Sequence, residues 1–388
     1  MQHWHKRLYI ALFAVLVFAL SGCAAAVPAA QPAATSAPAE EAAAPAVDDP
    51  LTELIAAAQA EGELTVIALP RDWCNYGEAI DTFAAKYGIK VNEVNPDAGS
   101  GDELEAIRAN KESTGPQAPD VIDVGFAFGP QAQEEGLLQP YKVSTWDTIP
   151  ESAKDPEGYW YGDYYGVMAF LVNTDVVQNV PQSWLDLSKP EYKGQFALSG
   201  DPRVSNQAIL SIQGASLANG GTLADPTKGM ELMAQVNQAG NLVPVIALAG
   251  TVALGETPIT PVWDYNALAW VDGFEGNPAT AVVIPTDGRI AGVYLQAISA
   301  YAPHPNAAKL WMEYLYSDEG QLTWMKGYCR PIREADLRER GVIPEEIAAK
   351  IPDASGVVFP TLDELVTGKQ VIVDGWDTVV GADVKAAE

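Results

Sequence analysis

Histidine is the first constraint on chemistry: it occurs only at positions 3, 5 and 304. Two of the three fall in the N-terminal leader described below. One remaining histidine cannot build a multi-histidine metal centre, and His304 sits in Ala302-Pro-His-Pro305, whose prolines suggest a surface turn. Asp and Glu total 51, so paired carboxylates are available, but most belong to solvated faces. No phosphate-binding P-loop or dinucleotide fingerprint follows a strand. The residues that stand out are suited to gripping a molecule. Arg71, Asp72, Trp73, Asn75 and Tyr76 are clustered in one loop, where the aromatic rings offer flat contact area with a polar handle and the charged pair offers complementarity. Phe126 follows the run Val121–Val124, Tyr161 belongs to a dense aromatic cluster with Tyr159, Trp160, Tyr164 and Tyr165, Asp201 precedes a helix from about Asn206, and Trp263 and Asp264 stand at a strand-to-helix turn. The expectation is a binding protein, with no enzyme activity, no cofactor and no metal.

The elements that must hold these residues begin after an unusual N-terminus. Lys6 and Arg7 precede a 13-residue apolar run, Leu8 to Leu20, too short for the roughly 20 residues of a spanning helix. That order reads as a secretory leader over residues 1–22. Its end, Leu20-Ser21-Gly22-Cys23, resembles the bacterial lipobox, which implies lipidation of Cys23. Residues 23–50 then form a lipid anchor and an Ala/Pro-rich spacer, which has too little large apolar surface to fold. Loss of Lys6 and Arg7 takes the net charge from −28 to −30. Nucleic acid is not expected as a partner, since phosphate neutralisation needs Lys and Arg. Cys74 and Cys329 are left for the body, and an oxidising compartment makes a disulfide between them one outcome and two separate thiols another.

Short apolar runs alternate with helical spacing. Leu64–Leu69, Ile89–Val94, Val121–Val124, Gly166–Asn173, Pro258–Trp263 and Ala279–Ile284 read as strands. Tyr76–Tyr87, Asn306–Tyr316 and Ser317–Gly327 read as helices, and Asp225-Pro226 opens another. Ser100-Gly-Asp-Glu103 has the form of a capping box. The class is α/β with parallel sheets.

Four stretches, Pro70–Gly77, Pro119–Gly125, Gly158–Asn173 and Pro261–Asn266, together with the paired late helices from Ala302 to Gln321, resemble the type II periplasmic binding proteins. The group is that of the extracellular solute-binding proteins that includes spermidine/putrescine and ferric-ion binders. The resemblance implies a two-lobed fold, each lobe a mostly parallel sheet flanked by helices, joined by two crossing strands. Lobe 1 would comprise 51–172 and 279–388 and lobe 2 residues 173–278, with crossings near Val172-Asn173 and Ile284-Pro285. It also implies a small-molecule solute held between the lobes, an ABC permease and its ATPase as partners, an extracytoplasmic lipid-anchored location and a monomer. In the polyamine binders an acidic residue follows the second crossing, whereas this chain offers Tyr294 and Gln296 there. Ferric binders use adjacent tyrosines late in the second lobe, and the Tyr164-Tyr165 pair lies before the first crossing. An organic cation, or a phosphorylated sugar held by Arg71 and helix starts, stays open. Two other classes remain: a transferase on the same fold with a cysteine-tethered cofactor, and a ligand-sensing lipoprotein with no transporter.

Overall fold

The computed structural model describes residues 50–386, so the leader, Cys23 and the spacer to residue 49 lie outside the described residues. Nine strands are formed among the described residues: β1 (Glu63–Ile67), β2 (Lys90–Val94), β3 (Val121–Gly125), β4 (Leu138–Gln139), β5 (Tyr161–Asn173), β6 (Ile259–Trp263), β7 (Thr280–Val283), β8 (Ala291–Ser299) and β9 (Arg330–Pro331). The order is β2-β1-β3-β8-β5-β6, with β4 on β8 and both β7 and β9 on β5.

Pairing is mixed, where the sequence suggested mostly parallel sheets. β1 runs parallel to β2 and β3, but β3–β8, β5–β8, β5–β6 and β5–β7 are antiparallel. The chain returns through β8 from the other half of the molecule without a helical crossover, and a returning strand pairs antiparallel. β5 changes partner along its length. Its first part pairs β8 from Tyr161↔Gln296 to Val167↔Ala291, and its second part pairs β6 from Met168↔Trp263 onward. The change of partner falls at Val167–Met168.

Helices cover both halves. Helix 50–61 packs on helix 305–315, and the Glu61 carboxylate accepts the backbone N–H of Asn306 and Ala307 at the latter's start. That placement meets the open donors and positive end of the helix. Helix 362–379 packs on helices 206–218 and 227–238. It thus lies against the segment read from the sequence as lobe 2, although its residues were assigned to lobe 1. Trp184, Trp263, Trp311, Trp324 and Trp376 are fully buried, so much of the abundant tryptophan is core. Cys74 and Cys329 are joined as a disulfide, their Cα atoms 5.4 Å apart. No helix among the described residues is long and apolar enough to cross a membrane.

Candidate functional site

Two backbone devices aim side chains at one place. The first is a register shift in β5 between Gly162 and Tyr165, which leaves Asp163 and Tyr164 without a regular partner on β8. Bulges of this kind re-aim side chains, and here Asp163 and the Tyr164 hydroxyl turn inward to β3 and β8. The second is the approach of helix 206–218 to the end of β3. A Cβ on Gly125 would stand 1.9 Å from Asn206 Cγ, so only glycine admits the Asn206 side chain there. Gly101 N–H donates to Val204 O at 3.1 Å across the same opening.

The result is a cavity of about 310 Å³ between the carboxyl ends of β1 and β3 and the starts of helices 100–109, 206–218 and 264–274. Ligands in open α/β sheets sit beyond the carboxyl ends of strands. Trp73, Trp270 and Tyr294 supply its aromatic walls, and Ser100, Asn206, Gln207 and Asn266 its uncharged polar ones. Asp72, Asp97, Asp102, Glu103, Asp123 and Asp201 line it too, with no Lys, Arg or His among the lining residues. Four of these acids are already engaged. Asp102 accepts the Gly99 N–H at 3.0 Å, and Asp201 pairs with Arg203 at 2.8 Å. A second hollow of about 690 Å³ lies between Phe126, Val293, Ile332 and Phe359; it is more apolar and lacks this convergence of polar groups.

Behind the cavity is a hydrogen-bonded network. Asp123 Oδ2 accepts the hydroxyls of Tyr76 at 2.8 Å and Tyr164 at 2.7 Å, while Tyr164 oxygen accepts Trp73 Nε1–H at 2.7 Å. Gln296 Nε2 donates to Tyr76 oxygen at 2.8 Å and to Asp163 Oδ2 at 3.1 Å. Glu103 Oε2 accepts the Asp123 N–H at 2.9 Å, and Ser100 Oγ accepts the Gly125 N–H at 3.0 Å. Burial pushes the Asp123 carboxyl up to about 7. It also raises Asp163 and Glu103, and in both the charge of Asp123 adds to the effect.

Of the residues singled out from the sequence, Asp72, Trp73, Asp201 and Tyr294 line the cavity. The others do not, each for a visible reason. Arg71 turns to solvent, where Asp81 and Glu93 pair with it at 2.6 and 2.8 Å. Asn75 is spent on Glu78 and the Thr323 carbonyl. Tyr76 stands behind the wall on Asp123. Phe126 packs edge-on to Trp160 and borders the second hollow. Tyr161 is core, against Trp146 and Tyr316. Trp263 is fully buried, its Nε1–H directed at the Tyr294 hydroxyl at 3.4 Å. Asp264 is neutralised by Arg330 at 2.9 Å and accepts the Val167 N–H where β5 changes partner. Tyr164 and Tyr165 do not form a metal-binding pair, since Tyr165 donates to Glu334 instead. Glu103 was read as a capping partner of Ser100; the helix cap is Gly99 and Asp102 closes it, so Glu103 is free to face inward. Asn206, Asn266 and Trp270 were missed. Each lies in the first turns of a helix that begins after a strand or loop at the cleft, which was the one signal available.

A family model described as bacterial extracellular solute-binding protein matches residues 117–355. The chain belongs to this family. Among the relatives of this solute-binding protein, the spermidine/putrescine-binding periplasmic protein of Escherichia coli is 26% identical over 320 residues, 78% of this chain and 83% of the relative. The periplasmic binding protein AfuA of Actinobacillus pleuropneumoniae, solved with exogenous fructose-6-phosphate bound, superposes with a TM-score of 0.64 at 24% identity. The match covers 82% of this chain and 99% of that one. Iron-bound HitA of Pseudomonas aeruginosa superposes with a TM-score of 0.58 at 17% identity over 80% of this chain and 97% of its own. These solved structures share the two-lobed fold of periplasmic binding proteins, and the solute-binding protein has that architecture.

Proposed function

We propose that this protein captures a small organic cation in the cleft between its halves and delivers it to the permease of an ABC importer, without catalysing a reaction. The observation that carries the reading is the cavity lining: six carboxylates and three large aromatic rings with no basic side chain. Carboxylates and aromatic faces both favour a cation, and a site without Lys or Arg has nothing charged to hold a phosphate. The polyamine named for the Escherichia coli relative belongs to the same chemical class. Arg71, the phosphate holder considered from the sequence, is outside the cavity and already paired.

The halves would be residues 51 to about 167 with 291 to about 361, and the intervening and C-terminal segments. A solute touching both walls favours the closed arrangement by its differential affinity for it. The leader and Cys23 support secretion and tethering outside the cytoplasm, with the body acting as a monomer. Calorimetric titration of the purified body with putrescine, 4-aminobutyrate, choline and fructose-6-phosphate tests the ligand class. Binding of one or more of the amines is the expected result, and binding of the sugar phosphate alone would overturn it. Deletion of the gene should abolish uptake of whichever cation binds; unchanged uptake would favour a sensor without a transporter.

A further inference from the structure

The floor of the cavity holds an acid cluster that no basic side chain neutralises. Asp123 at the end of β3, Glu103 on helix 100–109 and Asp163 in the β5 bulge are all buried. Asp264, a buried acid nearby, has Arg330; these three have only neutral donors and one another. Asp123 and Asp163 are bridged within this cluster, since Gln296 Nε2 donates to Asp163 Oδ2 at 3.1 Å and to the Tyr76 oxygen at 2.8 Å, and the Tyr76 hydroxyl donates to Asp123 Oδ2 at 2.8 Å. Two carboxylates buried this close with no countercharge do not both ionise, so one of them holds a proton. Asp123 and Glu103 border the cavity while Asp163 sits behind. On the opposite wall Asn266 is 1% exposed, and neither its amide nitrogen nor its oxygen has a partner. A buried amide with both ends unspent, facing a cavity, has a ligand as its natural complement.

We propose that Glu103 and Asp123 seat a primary ammonium group of the solute, with Asn266 engaging its remainder, and that the proton shared by Asp123 and Asp163 leaves as the ammonium arrives. This rests on the cation-capture reading above and names where the charge sits. The ammonium keeps its three protons and donates them as hydrogen bonds; the acid O–H is the bond that breaks, and its proton passes to solvent. A quaternary ammonium brings no donor and would leave the carboxylate oxygens unpaired. A metal ion does not fit either, because no group of three His, Cys, Asp or Glu among the described residues could hold one.

The surroundings of Asp123 leave no other source of positive charge. Helix 76–87 presents Tyr76, helix 100–109 presents Glu103 with Asp102 beyond it, and β5 presents Asp163 and Tyr164. β8 presents Tyr294, helix 264–274 presents Tyr265, and Tyr316 follows helix 305–315. Every one of these is an acid or a phenol. Burial raises the tyrosines, so they remain neutral donors across the working range.

Titration of the full folded body with putrescine at pH 6, 7 and 8, in two buffers of different ionisation heat, reads the coupling. Affinity should rise towards pH 8 by up to about tenfold per pH unit, with up to one proton released. Asp123→Asn and Glu103→Gln should each weaken binding on the order of a hundredfold, and Asp123→Asn should abolish the buffer dependence. Infrared spectra without solute give a check that needs no ligand: a protonated-carboxyl carbonyl band at pH 6, weaker at pH 8 and weaker in Asp123→Asn. Putrescine binding that releases no proton and ignores both substitutions overturns this inference while leaving cation capture standing. Choline binding as tightly as putrescine refutes the primary-ammonium seat. Absence of the infrared band refutes the shared proton, and failure of all the amines to bind refutes both readings.

Discussion

Replacing Arg330 with methionine isolates what holds the structure together at the strand that changes partner. Arg330 and Asp264 have side chains 2% and 1% exposed, and their ion pair ties β9 to helix 264–274 beside the point where β5 changes sheets. Breaking a buried pair from one side leaves a charge stranded, at a cost of about 3–5 kcal/mol. Here Asp264 keeps the N–H groups of Val167 at 2.9 Å and Tyr265 at 3.0 Å. Those dipoles disperse part of the stranded charge, so the loss belongs at the lower end, about 3 kcal/mol. The Pro352 carbonyl, which accepts from Arg330 at 2.6 Å, also loses its donor. For a body spanning residues 50–386, an unfolding entropy of about 2.1 cal/mol/K per residue gives roughly 0.7 kcal/mol/K. The melting temperature should therefore fall by about 4 °C. Calorimetric scans at matched rates measure this, and the double variant Arg330→Met with Asp264→Asn should recover part of the loss by removing the stranded charge. A single variant within about 0.5 kcal/mol of the wild type would refute the account, because it would mean the pair carries no net weight. So would a double variant that loses the full sum of the two single effects.

Gly125→Ala places a methyl where Asn206 now lies, 1.9 Å from its Cγ. Putrescine affinity should drop at least about tenfold, and small-angle scattering should show a body that stays open when solute is added; wild-type closure would refute it. The folded carboxyl of Asp123 is raised to about 7, above its unfolded value, so its contribution to stability is complete below about pH 4 and is lost as pH climbs through 7. Urea midpoints should accordingly fall from pH 5 to pH 8 more in the wild type than in Asp123→Asn, and equal slopes would contradict the burial argument. Reducing Cys74–Cys329 releases a link between residues 255 apart in sequence, which chain-entropy reasoning values at about 5 kcal/mol. Melting with and without reductant should show a drop of several degrees, and coincident curves would count against the link.

Local pattern was informative wherever a residue's role depends on its neighbours in the chain. The run from Leu64 closed by Pro70 gave a buried strand, and the rule that ligands sit beyond strand ends then led to Asp72 and Trp73, which do line the cavity. It failed where one helix start shifts by a residue. Ser100 and Glu103 satisfy the capping-box spacing, yet Gly99 and Asp102 make the cap, and Glu103 is turned to the Asp123 backbone. Aromatic side chains misled in a different way. Trp263 and Tyr161 have the chemistry of a binding wall, but both are buried in the core, because an indole or phenol gains as much from packing as from a ligand.

The alternation of short apolar runs with helical spacing determined the α/β class, since those signals are local and need no folding to be read. The tertiary structure alone decided which charges face the cavity. Arg71 and Asp264 each sit in a promising motif and are cancelled by Glu93 with Asp81 and by Arg330, partners 10 to 66 residues away. Glu103, Asp123 and Asp163 stand out in no motif as charged groups that belong together, and a helix, a strand and a bulge of β5 bring them into one buried cluster without a countercharge. The free energy of a buried charge is set by what surrounds it in space.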